Sequence, residues 1–312
     1  MQEYPANHEG PPEVDVTVVL PVFNEVGHLE QEIKRTRAAL DASDYSYEII
    51  CIDDGSTDGS TELLQTIEGI RVFSFSQNRG TGSSRKYGTL AARGRYVVWS
   101  DADMSYPNDQ IPELVDQIDG YDHVVGARRT EEGTVKFLRK PAKWLIRKLA
   151  SYLTGVKIPD LNSGLRVMRV EVARQFVHLL PRGFSCVTTI TMAFLSNGYS
   201  VKYVPIDYAK RAGKSKFHWW ADTRRYLMQV IRMVLSWNPL KVLMPPAGIL
   251  FLIGAGKAVY DIFDKDWRMG TNTIVILGAA FAIATVGMVA DLMVQLNKQR
   301  YNIIPATRHH RG

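Results

Sequence analysis

With 312 residues the chain is long enough for one sizeable α/β domain and an appendage, since single cores stop growing near roughly 250–300 residues. The formal charge is +6, and much of the excess of bases stands beside apolar or aromatic residues just ahead of a hydrophobic C-terminal part. That placement suits an anionic membrane surface and speaks against nucleic acid as a partner.

Residues 1–13 are polar and proline-bearing without the apolar run of a signal peptide, so the domain that follows is expected to stay in the cytoplasm. From Val14 the chain alternates β-rich runs with helical patterns. VDVTVVLP is followed by a helix over about Gly27 to Leu40, YEIICIDD by a helix near 59–67, and IRVFSFS by one near 83–93. RYVVWSDAD, a helix near 108–118 and DHVVGAR complete the series. Strands apolar on both faces, alternating with helices, imply a parallel sheet covered by helices. Ligands bind such sheets beyond the carboxyl ends of the strands. There the chain places PVFNE, DDGSTD, DAD and GARR. Cys51 and Cys186, with no CxxC pair, are expected to be reduced structural thiols.

The segment near 137–155 carries five bases and no acid, with Leu145, Ile146, Leu149, Tyr152 and Leu153 on one side of a helical wheel. It is expected to lie in a membrane interface, as is 218–237 with its tryptophans and arginines. Two apolar stretches follow, expected as transmembrane helices over about 240–262 and 271–296. The loop between them, DIFDKDWRMG, holds three acids against two bases, whereas the outer flanks are basic. A hairpin with both termini cytoplasmic follows from that asymmetry. The expected organisation is a tail over 1–13, a catalytic domain over 14–236, the hairpin over 237–297 and a basic tail over 298–312.

Asp101 and Asp103 stand two residues apart directly after an apolar strand. Such a pair converges on one hard cation, and Mg²⁺ or Mn²⁺ prefers these oxygens together with phosphate oxygens.

LPVFNE at 20–25, IDDGSTDGS at 52–60 and the DAD about fifty residues on resemble, as an ordered set, the family 2 glycosyltransferases. The resemblance implies a GT-A (Rossmann-like) α/β fold that holds a nucleotide-sugar. By it, Pro21, Phe23 and Glu25 line the nucleoside pocket, and Asp53 and Asp54 contact base and ribose. Asp101, Ala102 and Asp103 form the segment holding the diphosphate's metal. GAR at 126–128, DLNSGLRVMRV and VPIDYAKRAGKSKF narrow the resemblance to polyprenyl-phosphate glycosyltransferases, the group of dolichol-phosphate mannose synthase. It implies that Arg128, Arg166, Arg211 and Lys216 face the donor and acceptor phosphates. Two departures stand out. NRGTGSSRKYG replaces a glycine-lysine-glycine turn, with Arg79, Arg85 or Lys86 as the substitute, and Ser105 stands where some relatives place a metal-ligating Gln.

The expected reaction is an inverting transfer of a hexose from a nucleotide-sugar to polyprenyl phosphate at a bilayer. UDP-glucose is favoured as donor, GDP-mannose is second, and a homo-oligomer, a tetramer by resemblance, is the expected assembly. A processive polysaccharide synthase and a non-catalytic nucleotide-sugar-binding membrane protein are the alternatives.

Overall fold

The computed structural model describes residues 10–129, 147–209, 238–264 and 268–300. The chain divides into two compact units, one over 1–218 with 304–312 and one over 219–303.

The first unit is built on a seven-stranded sheet. Its strands are β1 (Val14–Val22), β2 (Tyr47–Asp53), β3 (Arg71–Ser74), β4 (Gly94–Trp99), β5 (His123–Arg128), β6 (Arg166–Arg169) and β7 (Val201–Ile206), in the order β3-β2-β1-β4-β6-β5-β7. Between them run α1 (Leu29–Asp41), α2 (Ser60–Thr66), α3 (Thr81–Ala91) and α4 (Ile111–Asp116), then a helix α5 whose described residues are 147–154. Two further helices are α6 (Val170–Phe176) and α7 (Cys186–Ser196). β1 lies parallel between β2 and β4, with Val18 opposite both Ile49 and Val98. Val16, Val18, Leu20 and Val22 join Ile49, Cys51 and Val98 in a core closed by Leu29, Ile33 and Leu40 of α1 and Leu114 of α4. Both cysteines are free and buried, as expected, and burial pushes the Cys51 thiol up to about 12.

Pro21 sits inside β1 without breaking the ladder. The pairing with β4 ends at Val19 opposite Trp99, so the missing N–H falls where that neighbour has left. The chain order reverses here, between β1 and β4, which opens the crevice in which such sheets hold ligands.

The sheet is mixed rather than wholly parallel. β6, within the run quoted above only as a motif, is antiparallel to both β4 and β5. Only four residues long, it has too short a pattern to announce a strand or its direction. α3 starts at Thr81, two residues earlier than expected from the pattern, because Gly80 turns at φ 89° and the Gly82 N–H bonds to the Arg182 carbonyl at 2.7 Å. In α5, Ala150 and Leu153 are buried while Tyr152 is 55% exposed, so part of the apolar side packs inward. The rest of the expected interfacial helix before 147, and all of 218–237, lie outside the described residues.

The second unit contains α8 (Pro239–Asp264) and α9 (Thr271–Arg300), both long and apolar enough to cross a bilayer. Phe251, Leu252, Phe263, Phe281, Leu292 and Leu296 face outward. A side chain at Gly254 would begin 2.7 Å from the Leu277 side chain, so the two helices approach closely at that point. Among the described residues of this unit one carboxylate is buried: Asp261 accepts from the Gly270 N–H at 2.9 Å and from the Thr273 hydroxyl, with Lys257 Nζ at 3.5 Å.

Candidate active site

The loops beyond β1, β2 and β4 are tied together by polar contacts between backbone and short side chains. After β1 the chain turns through Asn24 at φ 57°, a left-handed value that asparagine tolerates. The Asn24, Glu25 and Val26 N–H groups donate to Ser56 Oγ, Ser60 Oγ and Asp58 Oδ2 at 3.1, 3.0 and 3.1 Å, and Asn24 Oδ1 accepts from the Thr57 N–H. The DDGSTD loop is thus a platform to which the PVFNE loop is bolted.

Asp53 and Asp54 hold that platform from within. Asp53 accepts from the Ser56 N–H at 3.0 Å and the Thr61 hydroxyl at 2.7 Å, and it is 2% exposed. Asp54 takes the Arg79 and Gly80 N–H groups at 2.7 and 2.8 Å, filling the anion-binding turn ahead of α3 with a carboxylate of the chain itself. Burial raises its pKa, against those two donors. In this state both side chains serve the loops, while Phe23 is exposed, and Pro21 and Glu25 are half-buried on the rim.

Beyond β4 the DAD segment turns through Met104 at φ 61°. A non-glycine residue held there stores strain of a kind that gathers at functional loops. Asp103, 7% exposed, accepts through Oδ1 from the Ser105 N–H at 3.2 Å and from the Ser105 hydroxyl. Asp101 pairs through Oδ1 with Arg85 Nη2 at 2.7 Å. Arg85 is fully buried, and its guanidinium also stands over the Trp99 ring at 5.5 Å and reaches Cys186 Sγ at 3.7 Å. Burial lowers the Arg85 pKa, but Asp101, Cys186 and Tyr106 together more than offset it, and the net shift is upward. Of the three candidates for the missing lysine turn, Arg85 thus meets a DAD carboxylate, that of Asp101. Arg79 instead stands over the Phe75 ring at 4.8 Å.

Under this segment lies a carboxylate that the sequence reading missed. Glu32 of α1 is fully buried, with Oε1 2.5 Å from Asn108 Nδ2, and Asn108 accepts the Ser100 hydroxyl. Burial pushes its pKa to about 7, with Arg35 and Asn108 opposing and Asp103 adding to the rise. The available signal was an acid one turn from Leu29 and next to Ile33, near the apolar side of α1.

The arginines divide. Arg128, at the end of β5, grips Asp160 with Nε and Nη2 at 2.7 and 3.0 Å and stands 5.2 Å from the Tyr208 ring, which packs on Tyr106 at 5.0 Å. Burial raises the Asp160 pKa, but Arg128 outweighs it and holds the carboxyl below its usual range. Arg166 does not reach the rim. It is fully buried and donates to the Ser163 and Leu161 carbonyls at 2.7 and 3.1 Å and to Thr191 Oγ1, so it shapes the 161–163 loop instead of facing a phosphate. Burial lowers its pKa to about 10. Arg211 and Lys216 lie outside the described residues.

Loops gathered beyond the carboxyl ends of parallel strands, at the point where strand order reverses and with paired acids on the third loop, define a ligand-binding α/β domain. Residues 17–177 match the model of glycosyl transferase family 2. The undecaprenyl-phosphate 4-deoxy-4-formamido-L-arabinose transferase of Edwardsiella ictaluri is 32% identical over 80% of this chain and 77% of its own. A protein of the same name from Enterobacter sp. is 31% identical, over 81% and 78%. Among solved structures, glucosyl-3-phosphoglycerate synthase of Mycobacterium tuberculosis with uridine diphosphate superposes at TM-score 0.57 and 21% identity, covering 71% of this chain and 80% of that one. Its complex with Mn²⁺, uridine diphosphate and glucosyl-3-phosphoglycerate gives 0.55 and 24%, over 72% and 80%. The chain belongs to glycosyl transferase family 2, has the GT-A fold and is a glycosyltransferase.

Proposed function

We propose that this enzyme moves a sugar from a nucleotide-sugar to the phosphate of a polyprenyl phosphate, with inversion, at the surface of a bilayer that α8 and α9 cross. The relatives named as undecaprenyl-phosphate transferases support the acceptor. The observation that carries the chemistry is Asp101 and Asp103 on one turn beyond β4, where a donor's diphosphate would lie in this fold.

The donor set fits a divalent ion. Among the described residues no cluster of three or more acids, histidines or cysteines is present, but Mg²⁺ or Mn²⁺ needs only one or two carboxylates when phosphate oxygens and water complete the shell. Asp101 and Asp103 would hold it, and water would stand where Ser105 replaces Gln, since the Ser105 hydroxyl is spent on Asp103. Such an ion supplies Lewis-acid charge to the leaving nucleoside diphosphate.

The chain's own part is alignment. The acceptor phosphate carries about 1.5–2 negative charges near neutral pH, so its oxygen attacks without a general base. Pro21, Phe23 and Glu25 line the nucleoside side, with Asp53 and Asp54 fixing the loop beneath. Arg128, preorganised by Asp160 and Tyr208, sits on the phosphate side, where Arg211 and Lys216 add charge. Catalysis is positioning plus charge stabilisation. UDP-glucose is the first donor to try and GDP-mannose the second. The relatives' names add a 4-deoxy-4-formamido-L-arabinosyl donor. The catalytic domain and both termini are cytoplasmic, and the assembly is a homotetramer.

The test is purified full-length enzyme with each radiolabelled donor, polyprenyl phosphate and Mg²⁺ or Mn²⁺. A lipid-extractable, mild-acid-labile product is expected. Polymeric product, or donor binding with no turnover of any donor, overturns the proposal.

A further inference from the structure

Arg85 is placed on α3, and its side chain runs under the end of β4, with its guanidinium over the Trp99 ring. Among the described residues Asp101 is the only carboxylate it pairs with, and its Nε has no hydrogen-bond acceptor. A buried cation is costly to leave unpaired, so the Arg85 guanidinium holds Asp101 in one fixed place. The other side of the pair is equally constrained. Gly164 packs against it so closely that a side chain there would begin 2.9 Å from Arg85 Nη2, 3.1 Å from Asp101 Oδ2 and 3.1 Å from Tyr106 Cε2. The Gly164 N–H is fixed by the Tyr106 hydroxyl at 2.7 Å. Asp101 is thus gripped through one oxygen by a guanidinium and hemmed at the other by a residue with no side chain. Asp103 is oriented differently, by its own turn through Ser105.

We propose that Arg85 is a positioning residue, which with Gly164 sets the orientation of Asp101 and through it the affinity of the divalent-ion site. The inference rests on the reading of Asp101 and Asp103 as ligands. Groups that orient a ligating carboxylate from behind typically change metal affinity about 10- to 100-fold when removed. The positive charge of Arg85 acts the other way, by repelling a cation, so the sign of the change separates orientation from repulsion.

The experiment is titration of Mn²⁺ into the purified full-length protein, alone and with UDP or GDP, followed by electron paramagnetic resonance, with thermal unfolding run beside it. Arg85→Gln is expected to weaken Mn²⁺ binding about 10- to 100-fold. Arg85→Lys, which keeps the charge and loses the fork, is expected to fall between it and the unaltered protein. Gly164→Ala keeps both charges and disturbs only their seating, and it is expected to weaken binding in the same direction. Should Arg85→Gln fail to fold, Gly164→Ala decides alone. Folded variants that bind Mn²⁺ as tightly as the unaltered protein, or more tightly, overturn the inference. Asp103→Asn is the control for the underlying reading: if it keeps full Mn²⁺ affinity, the ligand assignment itself falls, whatever Arg85 does.

Discussion

The rim of the sheet and the helical hairpin both bury charge, and they do so in opposite ways. At the rim, Asp53, Asp54, Asp101, Asp103, Glu32 and Arg85 come from the ends of β2 and β4 and from α1 and α3, some held within their own turns and others by partners far away in sequence. In the hairpin one buried carboxylate among the described residues, Asp261, bonds to the start of the second helix, and the other buried residues of the two helices are mostly small and apolar. Charge at the rim is spread so that no one loss empties the network, yet individual members are proposed to carry chemistry. Charge in the hairpin is concentrated, and its work is structural. Substitutions that separate lost activity from lost stability test that contrast.

The largest effect is expected at Asp103. It accepts from the N–H and hydroxyl of Ser105 on its own turn, and Asp103→Asn is expected to leave the fold intact while transfer falls by about two to three orders of magnitude or more. Turnover assays with saturating Mn²⁺, beside a thermal melt, check it. Retained turnover removes the rim's claim to chemistry.

Asp101 behaves differently, although both acids belong to one motif. Asp101→Ala leaves Arg85 buried without its counter-ion, and that costs stability of about 3 kcal/mol in addition to activity. Denaturant unfolding of the metal-free protein reads it. Arg85→Met in the Asp101→Ala background is expected to recover most of the lost stability, because the stranded charge goes. If Asp101→Ala and Asp103→Asn melt alike, the pair is catalytic only and the contrast with the hairpin weakens.

This asymmetry also marks how far the sequence could be read. The segments PVFNE, DDGSTD and DAD were legible because alternating strands and helices put them at one edge of a sheet, and the register does the rest. Local pattern could not tell which partners a charged side chain would find. Arg166 looked like a phosphate ligand in a polar motif, but its acceptors are carbonyls of a preceding loop and Thr191 of a distant helix. Asp53 and Asp54 looked like direct ligand contacts, and the structure spends them on the loop platform. Arg85 remained one of three candidates until folding brought α3 beneath β4. Antiparallel β6 was hidden for the same reason, since four residues carry too little pattern to declare a direction.

Glu32 offers a smaller effect with a defined pH signature. Its carboxyl titrates at about 7 in the folded protein against 4.5 for an ordinary glutamate, because burial disfavours the charge. Below the ordinary value both folded and unfolded chains hold the proton, and its stabilising contribution is complete. As pH rises through 7 the folded state must accept a buried charge that the unfolded chain carries freely in water, so stability is lost across that window. Glu32→Gln cannot ionise and removes that slope, leaving the variant more stable above pH 7 by up to about 3 kcal/mol. Unfolding free energies at acid and alkaline pH decide it, and parallel profiles would mean that Glu32 is not buried as described.

The smallest effect is expected in the hairpin. Asp261→Asn keeps an acceptor for the Gly270 N–H or the Thr273 hydroxyl but loses the attraction to Lys257, so the turn is weakened by about 1 kcal/mol. A melt in detergent micelles should show a modest fall, while folded enzyme transfers sugar at its usual rate. A fall in turnover without a fall in stability would break the comparison, since it would give Asp261 a part in the chemistry assigned to the rim. Asp261→Ala sharpens the point, because it leaves both donors and Lys257 without their shared acceptor, and its cost should exceed that of asparagine.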